Sequence, residues 1–369
     1  MASQPPIPFN ALGRAVAELR SELDAALARV LDSGWLVLGD EGKSFEDEFA
    51  EAVGAAHAVG VGSGTDAIEL ALRALGIGPG DEVVTQANTC VPTVAGIERA
   101  GATPVLCDVE ADSGVMDLQS LRRAIGENTR AVVPVHLYGQ CADVDAIVDL
   151  CEQRGVEVVE DAAQATGAQL RGRSAGTIGR LGCFSFYPTK NLAALGDAGA
   201  VVTNDSELAE RLRLVRQYGQ SDRYHHAAKG VNSRLDELQA AILRTRLPHL
   251  SRWNARRAEV ASVYSEALAT TDVRPLEQLE GRLHVFHLFV VDAPDREALE
   301  AHLDEAGIGT LIHYPVPVHQ HPPYQRLAQG PVSLSVSERL CKRILSLPIY
   351  PELRDDEVKR IEEALRAFA

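Results

Sequence analysis

Short, mostly apolar runs recur along this chain: HAVGV from His57, EVVTQ from Glu82, TPVLC from Thr103, RAVVPV from Arg130, VEVVED from Val156, CFSF from Cys183 and AVVT from Ala200. Their apolar residues follow one another instead of alternating with polar ones, which predicts strands covered on both faces. Between them lie stripes with helical spacing, among them DAIELALRAL from Asp66, DLQSLRRAIG from Asp117 and DVDAIVDLCEQRG from Asp143. Strand–helix alternation of this kind predicts an α/β fold with a mixed, mainly parallel sheet flanked by helices. The pattern also predicts one N-terminal helix from about Leu12 to Leu31, stopped by SGW at Ser33, and a second one at GKSFEDEF. A further helix is expected to start at NSRLDELQ with Asn232 and Ser233 as caps. A long helix through Trp253 and Tyr264 then leads into a second unit. That unit reads as a strand (HVFHLFVVDA), a helix (REALEAHLDEAG), a strand running into a Pro-rich loop (GTLIHYPVPVHQHPPY), the segment CKRILSLPIYPEL and a closing helix (DDEVKRIEEALRAF). The expected division is a large domain with an N-terminal arm over residues 1–250 and a smaller α/β domain over 251–369.

Charge and cysteine usage narrow the class. A formal net charge of −16 lacks the basic footprint of a nucleic-acid binder. The six cysteines are scattered without a CxxC pair, which suits a reduced cytoplasmic protein better than a disulfide framework or a zinc site. No apolar segment reads as a signal peptide or a membrane span. The four histidines at 302, 313, 319 and 321 invite a metal reading, but His319 and His321, in a Pro-rich loop, lack clear partner carboxylates at ligand spacing, so no metal is expected.

The chemistry gathers where predicted strands end. VEVVED delivers Asp161, followed by Gln164; CFSFYPTKNL delivers Lys190. In an open α/β sheet the carboxyl ends of the strands form the ligand crevice. A lysine there can form a Schiff base with an aldehyde, and an aspartate can keep a pyridine nitrogen protonated. Upstream, the strand HAVGV turns through GSGT into a helix, so free N–H groups at Gly64 and Thr65 are available to an anion such as a phosphate. The turn is neither GxGxxG nor GxxxxGK[ST], which disfavours dinucleotide and nucleoside triphosphate binding. His136 and Tyr138 follow a strand end and read either as site contacts or as structural residues. Trp35 reads as a core or interface aromatic or as a ligand flank.

Taken together, EDAAQATG, CFSFYPTKNL…GDAGAVVT, GSGTDAIELALRALGIGPGDEV, GVNSRLDELQAA and HYPVPVHQHPPY resemble the DegT/DnrJ/EryC1/StrS family of sugar aminotransferases, over roughly residues 8 to 366. The resemblance implies a fold type I, aspartate-aminotransferase-like enzyme that uses pyridoxal 5′-phosphate, with pyridoxamine 5′-phosphate as its other form. It implies that Lys190 carries the cofactor, that Asp161 partners the pyridine nitrogen and that Gln164 lies near the ring and its phenolic oxygen. Ser185, Gly64 and Thr65 would hold the phosphate. Asn232 would reach the phosphate of the neighbouring subunit, making a homodimer with shared active sites. His313 and Tyr314, in the Pro-rich loop, are candidate contacts to the sugar. Two positions depart from the family pattern. Cys90 of NTCVPT stands where an aromatic usually stacks on the ring, and either packs its sulfur there or is buried filler. NLAALGDAG has Ala193 and Ala194 where glycines are usual.

The implied reaction moves an amino group from L-glutamate to a nucleotide-linked keto-deoxysugar, with a dTDP-3-keto-6-deoxyhexose expected first and a 4-keto sugar next. A different fold type I enzyme acting on amino acids is the alternative.

Overall fold

The computed structural model describes residues 5–368. Seven of the apolar runs form one sheet: β1 (His57–Val61), β2 (Glu82–Gln86), β3 (Thr103–Cys107), β4 (Thr129–Val133), β5 (Glu157–Asp161), β6 (Leu181–Ser185) and β7 (Gly199–Thr203). Their order is β1-β7-β6-β5-β4-β2-β3. Only β7 runs against the others, pairing antiparallel with β1 and with β6. Side chains alternate across a strand, so neighbouring apolar residues feed two cores. Val84, Val132 and Val158 enter one core with Phe45 and Phe49, whereas Val83, Val133 and Val159 enter the other with Leu70 and Ile97. Burial on both faces explains why these strands read as unbroken apolar runs. The first core is knit by aromatic rings: Phe49 meets Phe184 and Phe186 edge-on at centroid distances of 5.1 Å.

The second core lies further along the chain. Strands β8 (Arg274–Pro275), β9 (Phe289–Asp292) and β10 (Ile344–Leu347) form a small antiparallel sheet, in that order. Val260, Tyr264 and Leu268 of the helix Leu250–Leu268 pack against it with Ile361 and Leu365 of the helix Asp355–Ala367. Ile7, from the other end of the chain, is buried in the same core. Its backbone bonds Gly307 O and Gly309 N. The Asp108 carboxylate beyond β3 accepts from Val336 N, Ser337 N and Ser337 Oγ, and so holds the start of the helix Ser335–Arg343 against the large sheet.

Three local expectations need correction. The N-terminal helix is two helices, Leu12–Glu18 and Arg20–Ser33, because Leu19 leaves helical geometry (φ −111°, ψ 17°). Leu19 still packs on Ile242 and Trp253, so its apolar spacing hides the break. The stop at Gly34 is a left-handed cap, φ +67°. The helix expected at Asn232 begins at Glu237 after Asp236, and Ser233 bonds elsewhere. HVFHLFVVDA is a strand only over Phe289–Asp292, since the preceding backbone turns away to bond Gly139 O and Tyr138 O through Val285 N and Leu288 N. Among the described residues no helix is long and apolar enough to cross a membrane.

Candidate active site

A cavity of about 340 Å³ opens at the carboxyl ends of the parallel strands, and Gly64, Thr65, Cys90, Asp161, Gln164, Ser185 and Lys190 line it. Sequence positions spread over more than a hundred residues meet there because β1, β2, β5 and β6 all end on this side. The helix Gly64–Ala74 starts at the cavity, capped by Ser63, whose Oγ accepts from Asp66 N at 3.1 Å. Gly64 lies so close to Ser185 that a Cβ on it would sit 2.7 Å from Ser185 Cβ. Only glycine lets the helix start and the Ser185 hydroxyl share one anion-sized corner.

Asp161 is buried, and its oxygens accept from Thr93 Oγ1 at 2.8 Å and from Ala163 N at 3.1 Å. Burial pushes its carboxyl pKa up; the two hydrogen bonds and nearby Lys190 oppose that rise. Lys190 is partly buried in a turn closed by its own N–H on Tyr187 O at 2.8 Å. Burial pulls the amine pKa down, while Cys90 and Asp161 pull it up. A lysine with a lowered pKa keeps more neutral amine at a given pH and so is the better nucleophile and base.

Gln164 is committed at both ends: its Oε1 accepts from Tyr138 N at 2.8 Å and its Nε2 donates to Tyr314 Oη at 3.0 Å. Tyr314 therefore stands directly behind the cavity wall. The Tyr138 hydroxyl donates to His313 O at 2.6 Å, and His313 Nδ1 meets Ser346 Oγ at 2.9 Å. Burial lowers the His313 pKa to about 4, with Lys190 adding to the effect. Cys90 sits at the cap of the helix Val91–Ala100; burial raises its thiol pKa, and the Tyr314 hydroxyl and the Lys190 amine are its polar neighbours. Asn232 is exposed and does not line the cavity of its own chain; it pairs with Gln217 in a single bridge.

Several residues turn out to serve the framework. His136 is fully buried behind the strand ends: Nδ1 accepts from Ala142 N, so Nε2 carries the proton to Glu160 at 2.7 Å. Glu160 also accepts from Gly176, Ile178 and Gly179 N. Arg216 pairs with Glu46 and Gly60 O. Trp35, by contrast, is not a core aromatic: it is 63% exposed, with its indole N–H on Val37 O. His319 pairs with Glu338, and among the described residues no three His, Cys, Asp or Glu side chains group as a metal site would need.

Two residues of the site were missed in the sequence. Thr93, three positions after Cys90 in NTCVPT, reaches Asp161 across the sheet. Ser233 accepts from Gly62 N at 2.9 Å and donates to Asp66 Oδ2 at 2.8 Å, fixing the turn before the anion corner. A helix N-cap signal for Ser233 pointed to the wrong helix.

A seven-stranded sheet with one reversed strand, carrying a lysine, an aspartate and an anion corner on one cavity, defines a fold type I pyridoxal-phosphate enzyme. The chain belongs to the DegT/DnrJ/EryC1/StrS aminotransferase family, which it matches over residues 17–366. It is 48% identical to dTDP-3-amino-3,4,6-trideoxy-α-D-glucose transaminase of Streptomyces venezuelae, over 100% of this chain and 97% of that one. It is 46% identical to erythromycin biosynthesis sensory transduction protein EryC1 of Saccharopolyspora erythraea, over 98% of this chain and 100% of the relative. Its structure is similar, with a TM-score of 0.96 and 49% identity, to the crystal structure of S. venezuelae DesV in complex with a ketimine intermediate, covering 98% of each chain.

Proposed function

We propose that this aminotransferase carries an amino group from L-glutamate to the C3 ketone of a dTDP-linked 6-deoxyhexose, as a cytoplasmic homodimer with shared active sites. The convergence of Lys190 and Asp161 on one cavity with an anion corner carries the reading. The name of the 48% identical S. venezuelae relative supports position 3 and the thymidine nucleotide.

The residues present fit pyridoxal 5′-phosphate. The Gly64–Ser185 contact leaves a corner bounded by N–H groups and a hydroxyl, which suits a phosphate. Asp161 is a buried carboxylate whose two hydrogen bonds come from neutral donors, an arrangement that a protonated ring nitrogen completes. When bound, the cofactor supplies an aldehyde that condenses with amines and a ring that accepts electron density.

The protein's part is proton handling and orientation. Lys190 Nζ, its pKa lowered by burial, would take the proton from the α-carbon of glutamate and hand it to the former aldehyde carbon on the other side of the shared nitrogen; the nitrogen would stay with the cofactor, and water would supply the oxygen of the departing keto acid. With the sugar ketone in place the same amine moves a proton in the reverse sense, and the amino sugar leaves. Asp161 holds the proton on the ring nitrogen throughout. Ile68, Val135 and Leu137 in the cavity wall keep water from competing for these protons.

The direct test is an assay of purified protein with glutamate against dTDP- and UDP-linked 3-keto and 4-keto sugars. Turnover of 4-keto sugars alone would end the proposal for position 3.

Shared sites give a separate prediction. Asn232, exposed in its own chain, is assigned to the phosphate corner of the partner. Mixing Asn232→Ala with Lys190→Ala chains should produce heterodimers with one doubly damaged and one intact site, and activity should return. With subunit exchange verified, no recovery would count against shared sites.

A further inference from the structure

The segment carrying Asp161 and Gln164 and the loop carrying Lys190 come from different strands, and their spacing decides whether an amine and a ring nitrogen can act on one ligand. One side chain touches both. Asn254, on the helix Leu250–Leu268, donates from Nδ2 to Thr166 O at 3.1 Å, five residues after Asp161 in the same segment. Its Oδ1 accepts from Nδ2 of Asn191, the neighbour of Lys190, at 2.7 Å. Asn191 is buried, also donates to Val285 O at 2.9 Å, and accepts at Oδ1 from His287 Nδ1 at 3.1 Å. Burial, aided by the Lys190 charge, holds the His287 pKa well below the usual value, so the ring is neutral with its proton on Nδ1.

The links run in one direction: His287 donates to Asn191, Asn191 to Asn254, and Asn254 to Thr166. Reversing either amide would set oxygen against oxygen at one of the links, so the chain has a single satisfied arrangement. At Gly167 the backbone passes close to Asn254. Gly167 adopts φ +89°, and a Cβ there would stand 2.6 Å from Asn254 Nδ2. The same helix packs the second core through Val260 and Tyr264, so the tie also joins that core to the site.

We propose that Asn254 is a positioning residue that sets the spacing between Lys190 and Asp161, with Asn191 and His287 orienting it. The inference rests on the assignment of Lys190 and Asp161 to the bound cofactor. Asn254→Leu keeps the branched outline and the number of side-chain heavy atoms, in a somewhat larger group, and removes both bonds. The loaded variant should retain cofactor, show a shifted pH midpoint in the cofactor's visible absorbance, and convert glutamate in a single turnover about 10- to 100-fold more slowly, the cost of a small misplacement of reacting groups. KM for glutamate should change little, because the donor's own contacts are untouched. A midpoint and a single-turnover rate equal to those of the parent overturn the proposal, whatever happens to the melting temperature. Should the leucine variant fail to fold, Asn254→Ser leaves space for a water and is read by the same two measurements. The parent enzyme run alongside separates the two assignments: a parent without cofactor absorbance overturns the site itself, whereas a normal parent with normal variants overturns only the role of Asn254.

Discussion

Lys190→Ala is expected to abolish transamination, lowering turnover by more than about 1000-fold, because one substitution removes the covalent anchor and the proton carrier together. The chain has five lysines, and of these Lys190 alone lines the cavity. Borohydride treatment of the yellow parent enzyme should therefore fix the cofactor mass to the peptide containing Lys190. The variant should bind cofactor weakly and take no label. A label found at another lysine would sink the assignment. The lowered pKa adds a pH signature. Attachment needs the neutral amine, so the rate of cofactor loading should rise with pH through a midpoint below the ordinary lysine range.

Asp161→Asn is expected to stay folded and to accept cofactor at Lys190, yet to lose at least ~100-fold in turnover, the scale of losing a preorganised electrostatic partner. Asparagine keeps the shape and one oxygen for Ala163 N, and its NH2 can donate to the Thr93 hydroxyl instead of accepting from it, but it removes the negative charge that keeps the ring nitrogen protonated. The charge-assisted bond contributes about 1.5–3 kcal/mol to binding, and its larger effect is on rate, since an unprotonated ring is a poor electron sink. Without cofactor the raised carboxyl pKa means that the folded chain holds this proton more tightly than the unfolded chain, so Asp161 costs stability as pH rises above the ordinary carboxylate range. Cofactor should reverse that sign and stabilise the parent more than Asp161→Asn at neutral pH. If Asp161 only caps the following turn, asparagine serves equally well. Pyridoxamine formation from glutamate in one turnover decides the matter: a near-normal rate in the loaded variant removes the charge role.

What the sequence disclosed was local. Each strand of the large sheet overlaps an apolar run, and the GSGT turn reads directly as the start of a helix. Lys190 and Asp161 were visible because Asp161 ends such a run and Lys190 stands four positions past the end of another. Thr93 was hidden because its partner lies 68 positions away and nothing in VPT marks which face of the helix it occupies. Asn254 and His287 were hidden for the same reason, since a polar residue within an amphipathic helix or an irregular segment has no periodic signature of its role. The open reading of His136 was settled by side-chain direction: it turns away from the cavity to Glu160, and one residue of register separates a site contact from a buried strut. Ser233 showed its chemistry but not its address, because cap preference is shared by every turn that needs an acceptor.

The arm at Ile7 has a consequence for how the chain is made. The second core closes with a residue from the start of the chain, and the two ends are tied again where Arg14 meets Glu357, 343 positions away, and where Arg360 reaches Pro5 O, 355 positions away. Synthesis runs from the N-terminus, so the seven-strand sheet can assemble while the ribosome is still at work, but the arm must wait for the last helix to emerge. Until that helix emerges, the pocket for Ile7 is incomplete. A tag fused ahead of the arm is carried with Ile7 to that second core.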